Sequence, residues 1–182
     1  MSNFNRTGWL LVAAIGVSAC GILEPRLPDA APEIPADADV YGWLVGSWEL
    51  DVVHYLQDVR SHGIKGQAHF GWVLEGRAVQ DVWIMKAEGV VNTHGTTFRR
   101  WDASLGAWRV SWVNPITGWH DELIGRRIGD ELVQIGTHAD GTPIRWRFVE
   151  ITNDSFRWLG EALNPDGETW KLEAEFHGRR MK

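Results

Sequence analysis

The second half of the chain alternates between apolar and polar positions. Near residues 168–177, Trp170, Leu172, Ala174 and Phe176 fall on one parity and Lys171, Glu173, Glu175 and His177 on the other. A period of two is the mark of a strand with one buried face. Phe156, Trp158, Gly160 and Ala162 oppose Arg157 and Glu161 in the same way. Ile144, Trp146 and Phe148 oppose Arg145 and Arg147, and Trp108, Val110 and Trp112 oppose Arg109 and Ser111. Turn residues recur between such runs: Glu75-Gly76, Glu88-Gly89, Asp102 to Gly106, Asn114-Pro115 to Gly118, Gly129-Asp130, Asp140-Gly141, Asn153-Asp154 and Asn164-Pro165-Asp166-Gly167. Gly, Asn and Asp supply the positive φ angles of short hairpin loops, and this spacing predicts an all-β meander. Ten strands follow, near 47–56, 66–74, 77–86, 90–101, 107–113, 119–128, 131–138, 143–152, 155–163 and 168–177. No ten-residue window carries a helical stripe. Val40, Tyr41, Trp43, Leu44 and Val45 suffice only for a single helical turn beneath the sheet. Hairpins joined in sequence order remove their edges by closing, so the expected architecture is a closed or nearly closed antiparallel up-and-down barrel.

The clean alternation fails in the middle strands. Ala78, Gln80, Val82 and Ile84 alternate with Val79, Asp81, Trp83 and Met85. His94, Thr96, Phe98 and Arg100 alternate with Thr93, Thr97, Arg99 and Trp101. His120, Glu122 and Arg126 alternate with Trp119, Asp121, Leu123 and Arg127. Both faces are mixed, so in either register some polar side chains point inward. A buried polar group without a partner costs about 1–3 kcal/mol, so inward groups must meet each other, water or a ligand. The candidates for such a patch are Asp81, His94, Arg99, His120 and Glu122, with Trp72, Trp83, Trp112 and Trp158 as apolar walls. The alternative is that these groups satisfy one another around a few waters.

Composition narrows the classes. The chain has 182 residues, 44% hydrophobic and 23% charged, enough for one barrel domain and incompatible with general disorder. Twelve tryptophans are many for this length; they pack a core, line an aromatic pocket, or do both. A net charge of −6 with scattered Lys and Arg excludes a nucleic-acid surface, which needs clustered positive charge. Cys20 is the single cysteine, so no internal disulfide forms. No Gly-x-Ser-x-Gly elbow is present, and the histidines lack His-Glu-x-x-His or other short ligand spacing, so neither nucleophilic catalysis nor a metal site is expected. His54 and His69 are the one pair placed to meet across the first hairpin.

The N-terminus has a separate logic. Arg6 precedes the apolar run Gly8 to Val17, which is shorter than the ~20 residues of a membrane-spanning helix and suits a cleaved signal peptide. Val17-Ser18-Ala19-Cys20 resembles the bacterial lipobox, in which the leader is cut before a cysteine that carries lipid. Residues 21–39 hold Pro25, Pro28, Pro32 and Pro35 among Ala, Asp and Glu, a composition that forms no core. The expected organisation is therefore a lipoprotein-type signal peptide over 1–19, a lipidated Cys20 and disordered linker over 20–39, and a barrel over 40–182. The expected location is the bacterial cell envelope, membrane-anchored through Cys20, or periplasmic or secreted without the lipid.

Gly46-Ser47-Trp48 resembles the Gly-x-Trp opening of lipocalins, and the closing Phe176-His177-Gly178-Arg179-Arg180 resembles their late Arg that packs across that Trp. In strand number, and in the short Gln57–Ile64 connection where fatty-acid-binding proteins place a helical lid, residues 40–180 look more like the calycin-type barrels of uncharacterised bacterial families and of nitrobindins. The resemblance implies that Trp48 closes the barrel floor beneath Arg179 or Arg180. The nitrobindin likeness would also imply a haem held by a late His. His177 lies in the right part of the chain but shares parity with Lys171, Glu173 and Glu175, which is outward, so no cofactor is expected.

Three functions remain open. The first is binding of a small apolar or aromatic molecule in a Trp-lined cavity. The second is a cofactor-independent isomerase, cyclase or lyase using His94 or His120 with Glu122 or Asp81, since His titrates near neutral pH. The third is a structural envelope lipoprotein whose barrel is filled by its own side chains.

Overall fold

Turn chemistry sets the strand ends. The computed structural model describes residues 34–87 and 90–182, the side chains of 86–94 excepted, and it contains ten strands. They are β1 (Gly46–Tyr55), β2 (Lys65–Val73), β3 (Ala78–Ala87), β4 (Val90–Asp102), β5 (Ala107–Asn114), β6 (Trp119–Ile128), β7 (Glu131–Thr137), β8 (Pro143–Val149), β9 (Ser155–Leu163) and β10 (Trp170–Arg180). Gly76, Gly106, Gly118, Gly129, Gly141 and Gly167 all adopt positive φ in the connections, as the hairpin reading requires. Each strand pairs antiparallel with its sequence neighbours, and β1 pairs with β10, from Trp48 opposite Arg180 to Tyr55 opposite Ala174. The sheet is a closed ten-strand barrel. Cys20, the expected leader and all but the last residues of the expected linker lie outside the described residues.

One end of the barrel is plugged by the chain that leads into it. Short 3-10 turns at Ala36–Ala38 and Gly42–Leu44 carry residues 35–45 across the opening, and Tyr41 and Leu44 are fully buried. The Trp108 indole N–H donates to Ala38 O at 2.8 Å, and the Trp48 indole N–H donates to Leu44 O at 2.7 Å. The Trp43 ring stands edge-on to Trp48, Phe148 and Phe156, with centroids 5.8–6.1 Å apart. Trp48 is 0% exposed, and the Arg180 guanidinium carbon lies 4.1 Å from its ring centroid. Arg180 also donates to Trp43 O, Val45 O and Asn153 O at 2.6–2.8 Å. Of the two closing arginines it is therefore Arg180 that covers Trp48, while Arg179 pairs with Asp51 on the outer wall. Gly46 opens this motif for two reasons: its φ is +125°, and a Cβ there would lie 2.8 Å from Arg180 Nη1.

The interior face reads Trp48, Leu50 and Val52; Ala68, Phe70 and Trp72; Val79, Asp81, Trp83 and Met85; Thr97, Arg99 and Trp101; and so on round the wall. Several rings gain room from an inward glycine. The Trp158 ring lies over Gly160, where a Cβ would approach its Cη2 to 2.8 Å, and Trp112, Tyr41 and Phe156 fill the space at Gly95, Gly125 and Gly178.

Two irregularities change which side chains face inward. A bulge at Glu173 puts Ala174 opposite Gly160 but Leu172 opposite Glu161. Trp170 and Leu172 therefore lie on the outer wall, where the Arg145 guanidinium sits 4.3 Å over the Trp170 ring. The four-residue apolar face expected for β10 is in fact split between two sides, because one extra residue inverts the parity. A second bulge between Val52 and His54 turns His54 to the side of Glu175. His69 stands opposite Ser47 at the far end of β1, with Nδ1 2.8 Å from Ser47 Oγ. Register thus separates His54 and His69, and the pair expected across the first hairpin does not form.

Candidate functional site

The barrel interior holds two polar groupings, one near the plug and one at the opposite, unplugged end. Near the plug, β3 and β4 bring Asp81 opposite Thr97, two residues before Arg99. Asp81 is 0% and Arg99 1% exposed. Arg99 donates Nη1–H to Asp81 Oδ2 at 2.5 Å, and the Thr97 backbone N–H donates to Oδ1 at 2.8 Å. The guanidinium lies between two rings, 5.2 Å from the Tyr41 centroid and 5.6 Å from that of Phe70. The Tyr41 hydroxyl donates to Gln134 Oε1 at 3.2 Å, and burial pushes its pKa far above the ordinary tyrosine range. Arg99 Nε and Gln134 Nε2 are buried with no partner. This cluster is an ion pair enclosed by aromatic rings, with two donor nitrogens to spare.

Above it the interior is filled by aromatic contact. Phe70 and Trp83 stand 6.0 Å apart, Trp83 and Phe176 5.5 Å, Trp83 and Trp158 5.8 Å, and Trp158 stacks on Phe176 at 5.1 Å. Trp146 continues this wall, 5.6 Å from Trp158 and 6.3 Å from Trp112. Trp83 and Trp158 are buried, whereas Trp112 and Trp146 are only half-buried. The aromatic wall therefore ends in two part-exposed indoles at the mouth. Trp83 Nε1 is buried below them without a partner.

Asp121, one of the inward residues of β6, stands opposite Trp112 on the same face. His138 follows β7 and shares the inward parity of Leu132 and Gln134. Its Nδ1 is 2.9 Å from Asp121 Oδ1 and its Nε2 3.1 Å from Glu173 Oε2. Trp119 Nε1 donates to the second Asp121 oxygen at 2.9 Å, and its ring stands edge-on to the imidazole at 5.0 Å. Burial disfavours the imidazolium, but hydrogen bonds and charge from Asp121 and Glu173 outweigh it and raise the His138 pKa above its ordinary value.

The residues expected from sequence divide clearly. Asp81 and Arg99 are brought together, and Trp83, Trp112 and Trp158 belong to one wall with Trp146 between the last two. Trp72 lies apart, near the plug, 6.3 Å from Trp108. His120 and Glu122 are exposed on the outer face of β6, where Glu122 accepts from Ser111 Oγ at 2.8 Å. They cannot contribute acid–base chemistry inside the barrel, because the inward parity of β6 is that of Asp121 and Leu123. The side chain of His94 is outside the described residues, and its backbone pairs with Ile84. His177 lies on the outer wall with Nε2 2.8 Å from Glu175 Oε1, which does not fit a haem held within the barrel. Among the described residues no group of three His, Cys, Asp or Glu side chains is arranged to hold a metal ion. Sequence reasoning missed Asp121, Gln134, His138 and Glu173. Parity with Leu132 was a signal for Gln134 and His138, whereas Glu173 becomes inward only through the bulge.

Two cavities of about 550 and 320 Å³ lie on the outer wall, the larger among Arg127, Glu131, Arg147 and Arg157, the smaller among Glu49, Lys65, Gln67 and Arg179. No protein-family model matches the chain, and no curated protein matches it.

Proposed function

We propose that the protein is a calycin-type barrel that binds a small apolar or aromatic molecule at its mouth, against Trp112, Trp146 and Trp158. The observation that carries this reading is the half-burial of Trp112 and Trp146 at the one end where the otherwise filled aromatic interior meets solvent. Large rings left part-exposed beside fixed polar groups are the usual make-up of a ligand-orienting surface. In this reading the unpartnered Trp83 Nε1–H is the donor a ligand's acceptor would meet. Lipidation at Cys20 would hold the barrel at the cell envelope.

The probe for this reading is N-phenyl-1-naphthylamine, a neutral aromatic dye that brightens in apolar sites. Saturable binding with quenching of tryptophan emission is expected. Trp146→Ala should weaken it about tenfold, the ~1.4 kcal/mol equivalent of losing one aromatic contact and its buried area. A barrel that stays folded and binds no dye, or binds it equally well after Trp112→Ala and Trp146→Ala, overturns the proposal. That result would favour a structural barrel filled by its own side chains, a reading supported by the Trp83–Trp158–Phe176 stack.

A further inference from the structure

His138 and Glu173 meet although β7, which His138 follows, and β10 are not neighbours. Round the wall, β8 and β9 stand between them, so the two side chains reach one another by leaning across the mouth. Glu173 is free to lean because it is the bulged residue, and its carbonyl accepts from the Leu56 N–H at 2.6 Å, which fixes the bulge to the β1–β2 connection. His138 is held from the other side by Asp121, which Trp119 in turn braces. The β7–β8 hairpin is closed on itself by His138 N–H to Thr142 O and Gly141 N–H to His138 O, both 2.9 Å. Moving His138 therefore moves the hairpin.

The chemistry of the ring makes this contact conditional. A neutral imidazole has one N–H and one lone pair, so it can donate to only one carboxylate. Here both ring nitrogens face carboxylate oxygens, and only the imidazolium makes two hydrogen bonds. We infer that His138 is a proton-dependent strap across the barrel mouth: charged, it ties the β7–β8 hairpin to the bulge of β10, and on losing its proton it releases Glu173. Glu173 is the tie that yields, because its contact is longer and its side chain is 27% exposed against 2% for Asp121. The charged groups facing the imidazole are Asp121 from β6, Glu173 from β10 and Asp140 from its own hairpin. The β1–β2 connection contributes its backbone contact to Glu173. All three charges favour the imidazolium, so the strap stays closed to a higher pH than that at which a solvent-exposed imidazole keeps its proton, and it opens as pH rises further. As regulation of ligand entry the inference rests on the mouth-binding reading; as a property of the empty barrel it does not.

The test uses the ligand-free protein first. Amide hydrogen exchange of residues 138–142, corrected for intrinsic rates and referred to the Asp102–Gly106 hairpin at the other end, is followed from pH 6 to 9. Protection of 138–142 should fall about tenfold with the midpoint at which the His138 ring resonances titrate. His138→Gln should flatten the profile, and Glu173→Gln should lower protection at the acid end. Protection independent of pH, or a midpoint unrelated to the His138 titration, overturns the strap. The association rate of N-phenyl-1-naphthylamine should rise with the same midpoint. If the dye does not bind while the exchange profile titrates as expected, the strap stands and the mouth-binding reading falls.

Discussion

Asp81 and Arg99 present the sharpest energetic prediction, because each is enclosed and each is the other's charge partner. Removing one member of a buried pair leaves the other charge uncompensated, at a cost of about 3–5 kcal/mol. Asp81→Ala should therefore lower the melting temperature by roughly 6–20 °C, taking ~2–4 °C per kcal/mol for a domain of this size. It also strips the Thr97 N–H of its acceptor. Arg99→Met strands the buried Asp81 carboxylate in the same way and should cost a similar amount. The double variant Asp81→Leu, Arg99→Met removes both charges and should lie within about 1–2 kcal/mol of the parent, which requires a coupling of roughly 3 kcal/mol or more between the sites. Urea titration followed by tryptophan emission of the parent, Asp81→Leu, Arg99→Met and the double variant measures all four corners of the cycle. An Asp81→Ala cost below about 1 kcal/mol, or single effects that simply add in the double variant, would refute the reasoning.

Two further outcomes follow from the seam and the outer wall. Arg180→Ala should cost about 2–3 kcal/mol in urea titration through loss of three carbonyl contacts and the ring contact with Trp48; Arg180→Lys should recover less than half, because an ammonium cannot match the planar fork. Glu161 accepts hydrogen bonds from both Arg145 and Arg147, and these outweigh its burial to hold its pKa below the usual carboxylate value. Its contribution is thus complete above the unfolded carboxylate range and disappears as pH falls through its lowered folded value. Glu161→Gln should be less stable than the parent by about 1–3 kcal/mol at pH 6. The two melting curves should converge as pH falls through that lowered value.

The ten strands were legible because the turns carry their own chemistry. Gly76, Gly106, Gly118, Gly129, Gly141 and Gly167 each mark a hairpin that the backbone honours with positive φ. The floor was legible because Gly46, Trp48 and Arg180 depend on one another sterically. The interior of the middle strands was not, since both faces of β6 hold apolar and polar groups, and only pairing with β5 and β7 decides that Asp121 points in and His120 out. The bulge at Glu173 was invisible for a different reason. Period-two alternation presumes an uninterrupted strand, and β10 keeps its apolar pattern while its first half faces the other way.

The seam between β1 and β10 also sets an order on folding. Trp48 and Arg180 stand opposite one another across nearly the whole length of the barrel sequence, whereas every other strand pair is joined by a short connection. On a ribosome, nine strands can emerge and pair as a growing, open meander with two live edges. The ring cannot close until the tenth strand has cleared the exit tunnel. Loop-closure entropy for this last pairing is met only by contacts between the chain's most distant parts. The same arginine that stacks on Trp48 thus arrives last, and until it does the unpaired edges of β1 and β9 remain open to other chains.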